Sequence, residues 1–518
     1  MGRKKPLLLI LSFPLLVSCD FHLPFVSSTL SQTGGIGYLE PKYGPNDRSE
    51  NLTVENVGAW NGQIYMPHFG DARILVIPIQ FADSPFDSDD LLRLDNTFFG
   101  TSAQTGWESV SSYYEKSSYG NLHISGEVTS PISLRVTTED AERMDATTFT
   151  ENVLDQSLEK LSKEMDLSSF DSNEDGYLDA VWMVYSSPFD SGSDLLWAFT
   201  SWSSSRSTYS GLKACSYSWA SIDFLEEGNY LPYGSVYNGD GHTFIHETGH
   251  LMGLDDYYSY DAGGSNVDSP TGGAMMMDYN IGDHDAFSKY LLSWVDPIVV
   301  TKELLDQSDD VLTLSSFEET GECLILPIGK DGQVDFNGAP FDEYLIVEYY
   351  TPTGINAQDA RIPYQNQLSM FTESGILVYH VNARIGKLVP SLMGVQGLLW
   401  DGCSYDRIPV ASSQNYLFYY IYSNTRSYCF DTRIDDTNSS YYRGRLLSLL
   451  PESGRKTRFV ANQMASNSAL YQNGDSFLLS GGTYEEFLFD EGSRPLYGFE
   501  VERMMNDDTC RLYFEEIA

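Results

Sequence analysis

The stretch that most constrains this chain is GHTFIHETGHLMGLDD, running from Gly241 to Asp256. Residues four apart on a helix lie one turn above each other on the same face. His246 and His250 therefore present two imidazoles to one point, with Glu247 beside them. That pattern suits Zn²⁺, which takes nitrogen and oxygen ligands in tetrahedral geometry and keeps one position open for water. Glu247 is then placed to accept the proton of that water as it attacks a carbonyl. With eight histidines in 518 residues, a chance HExxH is about a 1% event. Gly253 supplies a helix stop, because glycine adopts the left-handed conformation cheaply. A turn there brings an acidic side chain, Asp255 or Asp256, back toward the metal.

Asp256 stands ten residues after His246, where the long HExxHxxGxxH motif of the metzincins carries its third ligand. It is preferred to Asp255 on that spacing. In the thermolysin arrangement the third ligand is a glutamate on a later helix. No glutamate occurs here between Glu247 and Glu303, which leaves His284 or Asp285 as the minor candidates. His68, His123, His242 and His380 read as packed or surface histidines rather than ligands.

The chain begins MGRKKPLLLILSFPLLVSCD. Three basic residues precede an apolar run too short to span a bilayer, as in an export signal. Leu16-Val17-Ser18-Cys19 resembles the lipobox of bacterial lipoproteins, in which the cysteine is acylated and becomes the mature N-terminus. The expectation is an exported protein lipid-anchored at the bacterial cell surface through Cys19. The net charge of −42 argues against nucleic acid as a partner, since phosphates would be repelled. The other cysteines, Cys215, Cys323, Cys403, Cys429 and Cys510, are scattered and odd in number, so no disulfide scaffold is expected, although a Cys403–Cys429 pair stays open.

Residues 19–65 are polar and read as a tether or short pro-segment. From Arg73 the pattern changes. ILVIPIQFAD reads as a buried strand, WESVSSYYEKSS as a helix, NLHISGEV as a half-buried strand, and Thr148 to Met165 as a helix. In FDSNEDGYLDAVWMVY, Asp171, Asn173, Asp175 and Asp179 occupy positions 1, 3, 5 and 9 of an EF-hand-like loop, but position 12 is Trp182 rather than glutamate. Bound Ca²⁺ and a plain Asp/Asn-rich turn are both open readings. Beyond the HETGH segment, DHDAFSKYLLSWVDP reads as a helix capped by Asp283. After about Val300 short strands dominate: VLTLSSF, ECLILPIG, EYLIVEYYT, GILVYHVN, NYLFYYIYS, SFLLS and RLYFEEI.

Taken together, LVIPIQFAD, SYYEKSSYGNLHISGEV, FDSNEDGYLDAVWMVY, HETGHLMGLDDYY, MMDYN, DAFSKYLLSWV, EYLIVEYY and GILVYHVN resemble the immune-inhibitor-A family of secreted bacterial metallopeptidases, over about residues 66–384. The resemblance implies an α+β fold: a metzincin-like zinc peptidase domain over 66–300, then a β-rich, sandwich-like region over 301–518, with residues 1–18 as the lipoprotein signal peptide. It implies Zn²⁺ held by His246, His250 and Asp256, Glu247 as general base, and calcium as a stabilising ion. Metzincins carry a methionine turn beneath the metal. Met277 is placed to be it, and Tyr279 to reach the developing oxyanion. The expected partners are extracellular proteins or peptides as substrates and, through the anchor, a membrane. The rival class is a surface adhesin or glycan-binding lipoprotein with an idle metal site. The intact Glu247 weighs against it, because an idle site has no need of its base. A zinc staple with four protein ligands is a third possibility.

Overall fold

A computed structural model of the chain describes residues 54, 64–230, 239–258, 270–278, 281–330, 332–361, 370–384, 386–388, 418–420, 424–425, 445–454, 465–490, 492–505 and 509–517. The leader with Cys19, Tyr279 and the Cys403–Cys429 pair lie outside the described residues, as does most of the 19–65 segment. The described residues are a mixture of helices and strands arranged in several sheets.

The first sheet is built on the apolar run that follows Arg73. Strand β1 (Gly70–Gln80) lies between β2 (Leu122–Val128) and β3 (Ala180–Tyr185), parallel to both. Beyond β3 come β4 (Phe199–Trp202) and β5 (Ser216–Ser221), in the order β2-β1-β3-β5-β4, with the edge strand β4 antiparallel. A central parallel strand has both faces covered, which is why its sequence is apolar without alternation. Alternate residues go to opposite sides. Leu75, Ile77 and Ile79 pack with Phe149, Val153, Leu154 and Leu158 of helix α2 (Ala146–Leu161). Ala72, Ile74 and Val76 pack with Tyr113 and Tyr114 of α1 (Val110–Ser117) and with Phe244, Ile245 and Leu251 of α3 (His242–Leu251).

Helix α4 (Ala286–Leu291) is capped by Asp285, whose carboxylate accepts the Phe287 and Ser288 N–H groups at 3.0 and 3.1 Å. The expected cap, Asp283, has another role. Lys289 is wholly buried, and Asp283 is the carboxylate that pairs with its ammonium. An uncompensated charge at that depth would be strongly destabilising, so Asp283 is held one step outside the helix.

The later strands form two further sheets. In one, β7 (Cys323–Lys330), β8 (Glu343–Tyr350), β9 (Gly375–Asn382) and β10 (Leu447–Leu449) run antiparallel in that order. In the other, β6 (Val311–Ser315), β12 (Thr509–Glu516) and β11 (Tyr497–Met505) are neighbours. Leu324, Leu326, Leu345, Val347, Ile376 and Val378 meet Phe499, Val501, Leu512 and Phe514 in the cluster between them. The opposite side of the first of these sheets, with Ile325, Ile346, Leu377 and Tyr379, joins the cluster that lies under α3 and α4. Strand β11 is not among the strands expected from the sequence. Its signal is the alternation Tyr497, Phe499, Val501, interrupted where the register shifts after Val501.

Candidate metal centre

Helix α3 is locked before any ion is considered. The Tyr114 hydroxyl donates to the Ile245 carbonyl at 2.7 Å, and Trp182 Nε1 donates to Thr248 Oγ1 at 3.1 Å. Phe244 packs against Phe98 and Trp182 with ring centroids 5.3 Å apart in each case. The helix ends at Met252, and Gly253 follows at φ +97°, the left-handed region that glycine enters without a Cβ clash. Val54 and Tyr65 lie directly over Gly253, so any Cβ there would also collide with them. The chain then turns back and carries Asp256 under the helix.

The result is a convergence of three side chains. Asp256 Oδ1 lies 2.9 Å from His246 Nε2 and 3.3 Å from His250 Nε2. Asp256 is the carboxylate that faces both imidazoles, and Asp255 is only half-buried beside it. Each ring is oriented from behind: His246 Nδ1 donates to the Met276 carbonyl at 2.9 Å, and His250 Nδ1 donates to the Leu254 carbonyl at 2.8 Å. A carbonyl can only accept, so Nδ1 carries the proton, and in a neutral ring Nε2 presents its lone pair. Two imidazole lone pairs and a carboxylate oxygen cannot share so small a space without a positive centre between them. Tetrahedral zinc bonds of about 2.0–2.1 Å place ligand atoms about 3.3 Å apart, so the donor set fits that ion. In the metal-free protein the positive charge is a proton. Burial opposes it, but Asp256 and Glu247 outweigh burial and push His250 up to about 10. Burial likewise works against the Asp256 anion, yet the imidazolium holds that carboxyl well below its usual range.

Glu247 is buried, and burial pushes its carboxyl up in spite of the two imidazoles nearby. Its Oε2 accepts from the Thr200 hydroxyl at 2.9 Å, and Thr200 Oγ1 is 2.7 Å from Ser218 Oγ. Sequence alone offers no sign of Thr200, because strand β4 is brought to the helix only by the sheet. Met277 is fully buried against the other side of α3: a Cβ added at Gly249 would stand 2.6 Å from its sulfur. The neighbouring residue in that turn orients the His246 ring, through the Met276 carbonyl.

Of the minor alternatives for the third ligand, Asp285 caps α4, and the His284 ring is stacked on Tyr114 at 5.8 Å with neither nitrogen hydrogen-bonded among the described residues. In the acidic loop, Asp171 accepts the Asp175 and Gly176 N–H groups at 3.0 and 3.1 Å, and Asp175 accepts the Tyr177 N–H at 2.8 Å. Asp179 accepts the N–H groups of Arg73 and Ser172 at 2.7 and 2.9 Å, tying the loop to β1. These bonds are those of an Asx turn that feeds β3. Among the described residues, two groups of His, Cys, Asp or Glu bring ligand atoms within 4.8 Å of one another: His246, Glu247 and His250, and a second at Glu343, His380 and Asp490. His68 and His123, by contrast, are bonded to the Leu292 carbonyl and to Glu115.

No family model matches the chain, and no curated protein is detectably similar to it.

Proposed function

We propose that the chain is a zinc endopeptidase of the immune-inhibitor-A type, with a metzincin-like catalytic unit, exported and held at the bacterial cell surface through an acylated Cys19. The observation that carries this reading is the pair of imidazoles whose Nδ1 protons are given to backbone carbonyls while their Nε2 atoms converge on Asp256. His246, His250 and Asp256 would hold the metal. When bound, zinc would polarise the scissile carbonyl and acidify a water in the open fourth position. Glu247, beside that position, takes the proton of the attacking water and passes it to the leaving amine. Thr200 keeps the Glu247 carboxylate turned to one side, and the buried surroundings strengthen each of these interactions. Met277 supports the helix from below. The substrates are proteins or peptides outside the cell. Calcium in the Asp171–Asp179 turn belongs to this reading as a stabilising ion.

The test is metal content and casein hydrolysis on the purified protein beside Glu247→Ala. Equal zinc content in both, with hydrolysis only in the unaltered protein, is the expected result. Zinc in both with hydrolysis in neither would favour the adhesin class. A folded sample that takes up no zinc from excess metal would sink the proposal. Calcium is counted in the same measurement.

A further inference from the structure

A second set of ligand-type side chains gathers at one end of the β7–β10 sheet, far along the sequence from the HETGH helix. Glu343, the first residue of β8, is paired in register with Asn382, the last residue of β9, and His380 lies two residues earlier on the same face. The turn that carries Asp490 closes over them. Its Phe487 and Phe489 rings lie 5.4 and 5.8 Å from the His380 ring. His380 Nε2 is 3.0 Å from Glu343 Oε1, and the Asp490 N–H donates to the same oxygen at 2.6 Å. One ligand atom from each of Glu343, His380 and Asp490 lies within 4.8 Å of the other two.

Two features separate this group from an ordinary ion pair. First, most of it is deep: Glu343 is 0% exposed and His380 and Asn382 are each 2% exposed, while Asp490 is half-buried. Second, Asn382 Oδ1 is buried and has no hydrogen-bond donor among the described residues. The amide orientation is fixed, since Asn382 Nδ2 donates to Asp490 Oδ2 at 2.8 Å. Reversing the amide would set oxygen against oxygen. An acceptor stranded in a dry interior is costly unless something positive meets it. The Arg384 guanidinium borders the group on its other side, with Nη1 3.0 Å from Glu343 Oε2. Imidazole nitrogen with carboxylate and amide oxygens is a donor set for a divalent ion of the zinc class.

We propose that Glu343, His380 and Asp490, with Asn382 Oδ1, bind a second divalent metal ion of the zinc class. The ion is structural. It clamps the turn around Asp490 to the ends of β8 and β9 and replaces a proton between His380 and Glu343. The site is independent of the peptidase reading.

Zinc is counted by mass spectrometry on the full chain after loading with excess ZnCl₂ and desalting. The unaltered protein should hold two equivalents, and His246→Ala/His250→Ala one. Adding His380→Gln to that variant should remove the last equivalent and, after Co²⁺ loading, the visible absorption bands of the cobalt form. Zinc should also raise the melting temperature of His246→Ala/His250→Ala, and no longer do so once His380→Gln is added. A folded His246→Ala/His250→Ala protein that takes up neither zinc nor cobalt would overturn the proposal in favour of a buried ion pair. If that variant does not fold, His380→Gln in the unaltered protein decides. Loss of one zinc equivalent supports the site, and unchanged zinc refutes it. The deciding variants lack the first site or count metal rather than turnover, so an inactive peptidase has no bearing on the result.

Discussion

The Thr200 hydroxyl lies 2.9 Å from Glu247 Oε2, so the edge strand of the first sheet reaches the carboxylate beside the two imidazoles. The same hydroxyl lies 3.1 Å from the Glu247 carbonyl and 2.7 Å from Ser218 Oγ, so it meets Glu247 at both side chain and backbone. Thr200→Val should leave zinc content unchanged and lower kcat about 10-fold, the lower end of what outer-shell groups contribute. Thr200→Ser, which keeps the hydroxyl, should stay close to the unaltered rate. Equal rates for the Val and Ser variants would show that the hydroxyl does not position the base.

Asp256 and Asp255 are adjacent, yet only Asp256 faces the imidazoles. Asp256→Ala should weaken zinc binding by more than about 100-fold, beyond the effect of losing an outer-shell partner. Asp255→Ala should bind zinc as the unaltered protein does. Competition against a chromogenic chelator measures both. Similar affinities in the two variants would remove Asp256 from the ligand set.

Gly249 and Met277 are in direct contact across the underside of α3. Gly249→Ala would force its Cβ to 2.6 Å from the Met277 sulfur, and overpacking of that kind costs about 1–3 kcal/mol. Met277→Ala alone opens a cavity at a cost of about 2–5 kcal/mol. The double variant should be less destabilised than the sum, because the new methyl occupies part of the space vacated. Additive losses in urea unfolding would show that the two residues do not share one packing site.

Asp359 is almost fully buried, and burial pushes its carboxyl up to about 7, although the Met370 N–H bonded to it pulls the other way. The folded value lies above the unfolded one, so the protonated form is the one the fold favours. The cost of ionisation is absent at low pH, grows as pH rises past about 4, and is fully present above about 7. Asp359→Asn keeps an acceptor for Met370 and removes the charge. Its stabilising effect should be about 3 kcal/mol larger at pH 8 than at pH 5. A pH-independent difference between the two proteins would mean that Asp359 is not buried in its neutral form.

The HETGH register, the glycine stop and the apolar runs of β1, β3, β7, β8 and β9 were legible because each is set by local periodicity or backbone sterics. The position of the calcium-like loop was legible for the same reason, since Asx side chains bond to their own turn. The cap of α4 was misplaced. Asp283 and Asp285 are equally good caps in sequence, and the choice turned on the buried Lys289. Strand β11 was lost where its alternation breaks after Val501.

What the sequence determined by itself was that two imidazoles and a glutamate share one helical face, and that an aspartate follows at the right distance to return. The tertiary structure alone decided that the Met276 carbonyl orients His246, that Thr200 meets Glu247, and that Glu343, His380 and Asp490 come together. Those pairings join residues 30, 47 and more than 100 positions apart in the chain. Side chains so distant are brought into register only by sheet pairing and core packing, which local propensity does not encode.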